Sequence, residues 1–469
     1  MDNHVISPAE KKQSLQRQMG LLGVIAMGVG NTIGSGLFFI PQNLAAASTP
    51  LASLIAFVVS AFGCIIVAFS FANLSQKMPL SGGTIVYVKK AEGSFAAFLV
   101  GWYNWFAGPS SIAGLVVGMV AYLGVFFPVL LVNNMAALIV CLLLYWLIVL
   151  INIRGVKGAS AFNIITTVVK VIPIILFVLI AATKFDFANL PTVNPAVVQD
   201  GTNQFATIPA GLAITMWCFM GFDTIAQSAG VVKDPEKNIK RGTILSILFV
   251  TIVYILVIFM AYGVMDQEML AGTSAPFAEI LQYCTGSNVW SYVMSIFIMF
   301  SIYGCASGTL LAAAQFSYGM GEQKIFPPIF AKLHPKYNTP ITALIIEGIF
   351  GSLLIIANYT KGLAGAYLFI ILISTMSTII CFIATVLSDI MLLRDMGGKV
   401  TPWRYIKKCA LPLLAFVYLL YAIYGTGYES VMWGFLFLLV GLPVYAYMRY
   451  KYPQSIVKSG EPAADEDMH

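Results

Sequence analysis

Apolar runs too long for the helices of a soluble domain fill this chain, and they decide what it can fold into. They fall near 20–46, 51–76, 95–127, 131–151, 159–181, 207–231, 243–265, 288–318, 340–358, 363–391, 409–425 and 431–449. Each is close to or beyond the roughly 20 residues a helix needs to cross a bilayer. Charged residues make up only 10% of the 469 positions, against about 25% in a soluble globular protein. A β-barrel is excluded because its strands alternate over about ten residues, whereas these runs are continuously apolar. The expected fold class is an all-α polytopic membrane protein of twelve transmembrane helices. The third and eighth runs exceed the bilayer thickness, so those helices are expected to tilt or to extend beyond it. No interval between the runs is long or polar enough for a soluble domain. The chain therefore reads as a polar tail over 1–18, a twelve-span domain over 19–450 and a second tail over 451–469.

The positive charges orient these spans. Lys11, Lys12, Arg17, Lys77, Lys89, Lys90, Arg154, Lys157, Lys233, Lys237, Lys240 and Arg241 precede the first span or lie in alternate loops. Lys324, Lys332, Lys336, Arg394, Lys399, Arg404, Lys407, Lys408, Arg449, Lys451 and Lys458 continue on the same side. The opposite side has only Lys184 and Lys361, and Lys170 lies within a span. One missed or invented span would invert every later loop, so this bias supports both the count and the placing of both termini in the cytoplasm. The first span reads as a retained signal anchor, because more spans follow and no cleavage site does. The net charge of +6 follows from the same anchoring rule, and nucleic acid is not implied as a partner. The last residues, from Glu461 to Asp467, form a short acidic end expected to be solvated. Seven cysteines without CxxC spacing, and three histidines confined to tails and a loop, indicate no metal site. No cofactor is implied.

Two spans are interrupted. The first contains Gly28, Val29, Gly30, Asn31, Thr32, Ile33, Gly34, Ser35 and Gly36, a poor sequence for a continuous helix. Close helix packing through small residues is one reading. The other is a break at mid-membrane that frees the N–H groups of a second half-helix to meet an anion. A dinucleotide-binding GxGxxG is ruled out by the absence of a soluble βαβ unit. The sixth span contains Trp217, Cys218, Phe219, Met220, Gly221, Phe222, Asp223 and Thr224. A lipid-facing Asp223 would be costly, so it faces the protein interior, as a titrating group or as a satisfied structural acid. Paired discontinuities of this kind are expected of transporters that bind substrate at the midplane. In the fifth span Lys170 either reaches the cytoplasmic interface or acts as an internal cation.

The same segments resemble the amino acid–polyamine–organocation family over nearly the whole chain. The likeness rests on Gly30 to Gly36 followed by Leu37, Phe38 and Pro41. It continues with Phe219 to Asp223, then Ala229, Gly230, Lys233, Asp234, Pro235, Asn238 and Arg241. The third matching motif is Phe326-Pro327, Phe330-Ala331-Lys332, His334 to Tyr337 and Thr339-Pro340. The resemblance implies two inverted five-helix repeats plus two final helices. It also implies a site in which amides near Ser35 and Gly36 hold a substrate carboxylate, while carbonyls of Thr32, Trp217 and Met220 take the ammonium. Asn31 and Ile33 would lie in the cavity, with Trp217 covering the substrate. Asn104, Trp105, Gly221, Phe222, Ser307 and Thr309 would set side-chain selectivity. Lys170 matches a lysine that replaces sodium in cation-independent members, and Asp223 stands where the family usually has Glu. Both are expected in gating or proton coupling. Thr309 occupies a position where an arginine–agmatine antiporter has a large aromatic, which favours a neutral or modified amino acid, a sugar adduct included.

The expected function is secondary active transport of an amino acid or related amine, as exchanger or proton-linked permease, in the cell membrane and without sodium. The alternative is a transport-incompetent sensor or partner subunit on the same fold. A homodimer stays open, and membrane lipid is the remaining partner. No ring of identical residues marks a channel, and Asp223 has no adjacent histidine or paired carboxylate to make an enzyme. A primary pump would need a P-loop that is missing.

Overall fold

In hydrocarbon a helix satisfies its own backbone hydrogen bonds, and the computed structural model follows that rule. Among the described residues the one β contact is a parallel bridge between Met19 and Val232. The structure describes residues 19–34, 36–78, 84–155, 159–190, 203–227, 232–393 and 402–452, with all their side chains except those of 76–77, 159–169, 226–227 and 402–407. Residues 1–18 and 453–469, with Ser35, Ala229, Gly230, Lys157, Arg394 and Lys399, lie outside them.

Apart from two short helices, Val129–Val132 and Gln267–Ala271, the helices in chain order are α1 (Leu21–Thr32), α2 (Gly36–Ala47), α3 (Pro50–Lys77), α4 (Thr84–Glu92), α5 (Ser94–Leu123), α6 (Asn134–Arg154), α7 (Ala159–Ala181) and α8 (Ile208–Phe219). They continue as α9 (Asp223–Gln227), α10 (Pro235–Val264), α11 (Pro276–Thr285), α12 (Asn288–Glu322), α13 (Ile341–Asn358), α14 (Gly362–Met391), α15 (Pro402–Gly425) and α16 (Gly427–Lys451). Every apolar run carries helix. Nine described stretches are long and apolar enough to cross a membrane, or ten if the bent pair α1 and α2 is one span. One of the nine, 341–391, holds both α13 and α14. The multi-pass helical class is thereby established, while helix length and composition do not by themselves fix the number at twelve.

The long third and eighth helices are present, with 30 residues in α5 and 35 in α12. Helices α10 and α15 begin at Pro235 and Pro402, before the apolar runs that mark them in sequence. The reason is that proline suits the first helical turn, and the turns that follow run through charged residues that apolarity does not detect. Elsewhere the ends are capped locally. Thr49 accepts from the Ala52 amide at the start of α3, and Asn133 accepts from those of Met135 and Ala136 at the start of α6. Hydroxyls inside the helices turn back to carbonyls one turn earlier, as Ser53 does to Thr49, Thr251 to Ile247 and Ser377 to Ile373. This lets polar side chains lie in an apolar interior without an unmet donor.

The chain divides into two compact units. The first comprises 1–87, 185–271 and 382–425, and the second 88–184, 272–381 and 426–469. In the first unit α10 packs against α1 and α3, and α8 against α2, α3 and α15. Small residues let backbones approach here. A Cβ on Gly28 of α1 would come within 2.6 Å of the Ile225 side chain, closer than real contacts allow. In the second unit α12 packs against α5, α7 and α11, and α13 against α5 and α6.

Candidate functional site at the helix interruptions

Both interrupted spans are broken in the structure, and both breaks belong to the first unit. Helix α1 ends at Thr32, and α2 starts at Gly36 with its axis turned by 48°. Helix α8 ends at Phe219, and α9 starts at Asp223. Between α8 and α9, Gly221 has φ +110°, a conformation a side chain would strain. A Cβ on Gly221 would also lie 2.9 Å from the carbonyl oxygen of Asn31. The second break thus needs glycine twice over, once for its own turn and once to lie against the first break.

Three side chains tie the breaks together. The Asn31 amide donates to Thr224 Oγ1 at 2.8 Å, and that hydroxyl donates to the Gly221 carbonyl at 2.6 Å. Buried Tyr254 of α10 lies with its hydroxyl 3.0 Å from the Thr32 carbonyl and 3.2 Å from that of Cys218. A phenol has one proton, so this donor is shared between the last turns of two half-helices. Gly36, the first residue of α2, faces Trp217. A Cβ there would stand 3.1 Å from Cys218 Sγ and 3.3 Å from Trp217 Cδ1. Helix α2 thus begins beside this indole.

The sequence-derived site residues of this unit occupy varied positions. Asn31 is exposed, Thr32 and Ile33 are buried, and Trp217, Met220, Gly221 and Asp223 are half-buried. Phe222 is buried, with its ring against Phe71 and Phe382. Ser35 lies outside the described residues. The others belong to the second unit. There Asn104 is exposed on α5, and Ser307 is buried and accepts from the Asn152 amide at 3.0 Å. Thr309 is half-buried beside Gly308, where a Cβ would meet nothing within 4 Å. Trp105 is buried, its ring centroid within 6.1 Å of those of Trp102, Phe326, Phe330, Phe350 and Phe437. Lys170 is buried on α7.

Sequence reading passes over Tyr254 and the bonding role of Thr224. Tyr254 stands in an apolar run as one aromatic among many, and nothing local marks it. Thr224 does adjoin Asp223 in the sixth-span motif, and a hydroxyl just past a break is the kind of group that satisfies a freed carbonyl.

Comparison with known proteins agrees with this architecture. The arginine/ornithine antiporter of Latilactobacillus sakei is 27% identical over 372 residues, covering 78% of this chain and 77% of that protein. The branched-chain amino acid permease BcaP of Bacillus subtilis (strain 168) is 24% identical over 464 residues, covering 94% and 95%. Among solved structures, Mhp1, a nucleobase-cation-symport-1 family transporter in a closed conformation with bromovinylhydantoin bound, superposes with a TM-score of 0.52 at 12% identity, covering 94% of each chain. That likeness supports the fold. A family model described as amino acid permease matches residues 19–448. A match across both broken helices and all three motifs is decisive, and the chain belongs to the amino acid permease family, as a membrane transporter and not an enzyme.

Proposed function

We propose that the protein moves an amino acid, or a close amine-bearing relative, across the cell membrane by alternating access, with both termini cytoplasmic. The observation that carries the reading is the interlocked pair of helix breaks. A half-helix N-terminus at Gly36 suits a carboxylate, and carbonyls of Thr32, Trp217 and Met220 suit an ammonium. An amino acid offers those two groups on one carbon. Asn31 and Ile33 lie in the same segment as the anion end, and Trp217, across from Gly36, is the cover for the bound zwitterion. Asn104, Trp105, Gly221, Phe222, Ser307 and Thr309 set which side chain is accepted. Thr309, with the open position at Gly308 beside it, favours a neutral or modified substrate over a guanidinium that would need a stacking ring. The related antiporters of arginine and ornithine and the related branched-chain permease mark the two ends of that range.

Lys170 substitutes for a sodium ion, and Asp223 serves gating or proton coupling. Transport therefore proceeds without sodium. The test is uptake of labelled leucine and arginine by proteoliposomes, with external sodium replaced by choline. Saturable uptake that choline leaves within about twofold of its initial rate is expected, with leucine competing better than arginine. Binding without flux would instead make the protein a sensor, and a saturable sodium requirement would remove the role given to Lys170.

A further inference from the structure

The second unit holds a buried carboxyl for which the substrate site has no use. Glu347 sits two turns into α13 with 0% of its surface exposed. Ser317 Oγ of α12 lies 3.0 Å from Oε1 and 2.9 Å from the carbonyl oxygen of Ala313. The indole N–H of Trp105 stands beside the carboxyl as a donor to it, though Oε2 and that N–H are not aligned in a close hydrogen bond. Gly108 of α5 leaves the room they occupy, because a Cβ there would stand 3.4 Å from Oε2 and 2.8 Å from the Ala313 methyl.

What faces this carboxyl is almost entirely uncharged. From α6 comes Tyr145, whose hydroxyl donates to the Glu347 backbone carbonyl at 3.2 Å. Helix α5 brings Trp105 and Gly108, and α12 brings Ser317, none of them titratable. The turn at 328–331 carries no titratable group, and α13 carries no other. The turn at 359–361 has Tyr359 and Lys361, and Lys361 is paired with Glu429 at 2.7 Å. Among the described residues no lysine, arginine or histidine nitrogen lies within 4 Å of Glu347.

Ser317 is the informative neighbour. Its single hydroxyl proton has two acceptors in reach, and a hydroxyl rotates to suit. With Glu347 protonated, the acid donates to Ser317 Oγ, and Ser317 donates onward to the Ala313 carbonyl. With Glu347 ionised, Ser317 turns and donates to Oε1, and the Trp105 N–H is the donor at hand for Oε2. Either state can be bonded without moving a helix. A carboxylate without a cation is costly in an apolar interior, which two donors offset.

We infer that Glu347 is a proton-binding site, loading a proton from water on one side of the membrane and releasing it to water on the other as transport proceeds. This rests on the transport function proposed above and names a carrier for a coupled proton in the second unit. The test uses the full-length protein in liposomes. Acid-minus-alkaline difference infrared spectra should show the carbonyl stretch of a carboxylic acid that titrates, and Glu347→Gln should lose it. In the same vesicles, uptake driven by an imposed pH gradient should fall about tenfold or more in Glu347→Gln, while exchange of labelled for unlabelled amino acid stays within about threefold. A band and a gradient response that both survive the substitution would make Glu347 a fixed structural acid and overturn the inference. If Glu347→Gln fails to insert, Ser317→Ala keeps the carboxyl and removes its switching partner. A moved titration midpoint then supports the site, and an unmoved one overturns it. Should the wild type move no amino acid, the transport reading fails, while the infrared titration still decides whether this carboxyl takes up a proton.

Discussion

The two units of this transporter handle the membrane's demand for satisfied polar groups in opposite ways. The first gives up helix at two places and leaves backbone groups to be met by Thr224 and Tyr254, with Asn31 donating to Thr224. The second keeps long helices such as α5 and α12 unbroken and carries its polarity on side chains, with Glu347, Lys170 and Ser307 buried. Broken backbone offers dipoles and hydrogen bonds at fixed positions, which suits a group present in every amino acid. Buried side chains on intact helices offer titratable or shape-selective groups. On this view recognition of the common zwitterion belongs to the first unit, and charge coupling and choice of side chain draw on the second.

The comparison breaks most readily at Gly36. This residue leaves so little room to Trp217 and Cys218 that a leucine there must displace the indole or the half-helix. Gly36→Leu is expected to weaken substrate binding by roughly a hundredfold or more, the effect of about 3 kcal/mol of overpacking. Membrane-inserted yield should stay near that of the wild type. Equilibrium binding of labelled substrate to purified protein checks this, and near wild-type affinity would detach the first break from recognition.

How much of this was legible in the sequence follows from the same contrast. The positions of the helices and of both interruptions could be read because apolar runs and glycine clusters are local signals. The expected break within Gly28 to Gly36 narrows in the structure to the few residues between Thr32 and Gly36, since Gly28 and Gly30 remain helical in α1. Gly28 serves close packing instead, so packing and break fall at different residues of the glycine cluster. Partners distant in the chain could not be read. Tyr254 meets Thr32 across 222 positions, and an apolar run gives no sign of which face is turned inward. Trp105 shows the same limit. Its neighbour Asn104 is exposed, while Trp105 packs against five aromatic rings and Glu347. Two adjacent side chains on one helix thus meet different surroundings, which their order in sequence does not reveal.

A smaller effect is expected at Tyr254, where the comparison can be sharpened. Tyr254→Phe keeps the ring packed against Phe57 and Phe219 and removes only the donor shared by Thr32 and Cys218. A buried acceptor left unmet costs about 1–3 kcal/mol, part of it offset because a freed Thr32 carbonyl can turn to substrate. The net expectation is a loss of affinity of about tenfold, together with slower exchange, because the two breaks lose one of their ties and keep only that of Asn31 to Thr224. Binding and exchange measured on the same preparation separate these. An unchanged exchange rate with unchanged affinity would show that the breaks hold their geometry without this phenol.

The smallest effect on binding is expected at Asp223, and it tests whether the first unit recognises substrate by backbone alone. Asp223 opens α9, half-buried and just beyond Gly221. The carbonyls proposed to take the ammonium, those of Thr32, Trp217 and Met220, precede it in both breaks, so its carboxylate is not needed to hold the substrate's backbone. It stands instead at the start of α9, where Thr224 links that helix to Asn31. Asp223→Asn preserves shape and hydrogen-bonding capacity while removing the ability to ionise. Affinity should therefore stay within about tenfold of the wild type, which is about 1.4 kcal/mol, while much of the pH dependence of flux is lost. Equilibrium binding and liposome transport, each measured across pH on one preparation, give the answer. Abolished binding in a folded variant would make Asp223 a substrate ligand and point to a cationic substrate. If binding and the pH profile both stayed as in the wild type, Asp223 would be a satisfied structural acid. Coupling would then fall to the second unit alone, where Glu347 and Lys170 are buried.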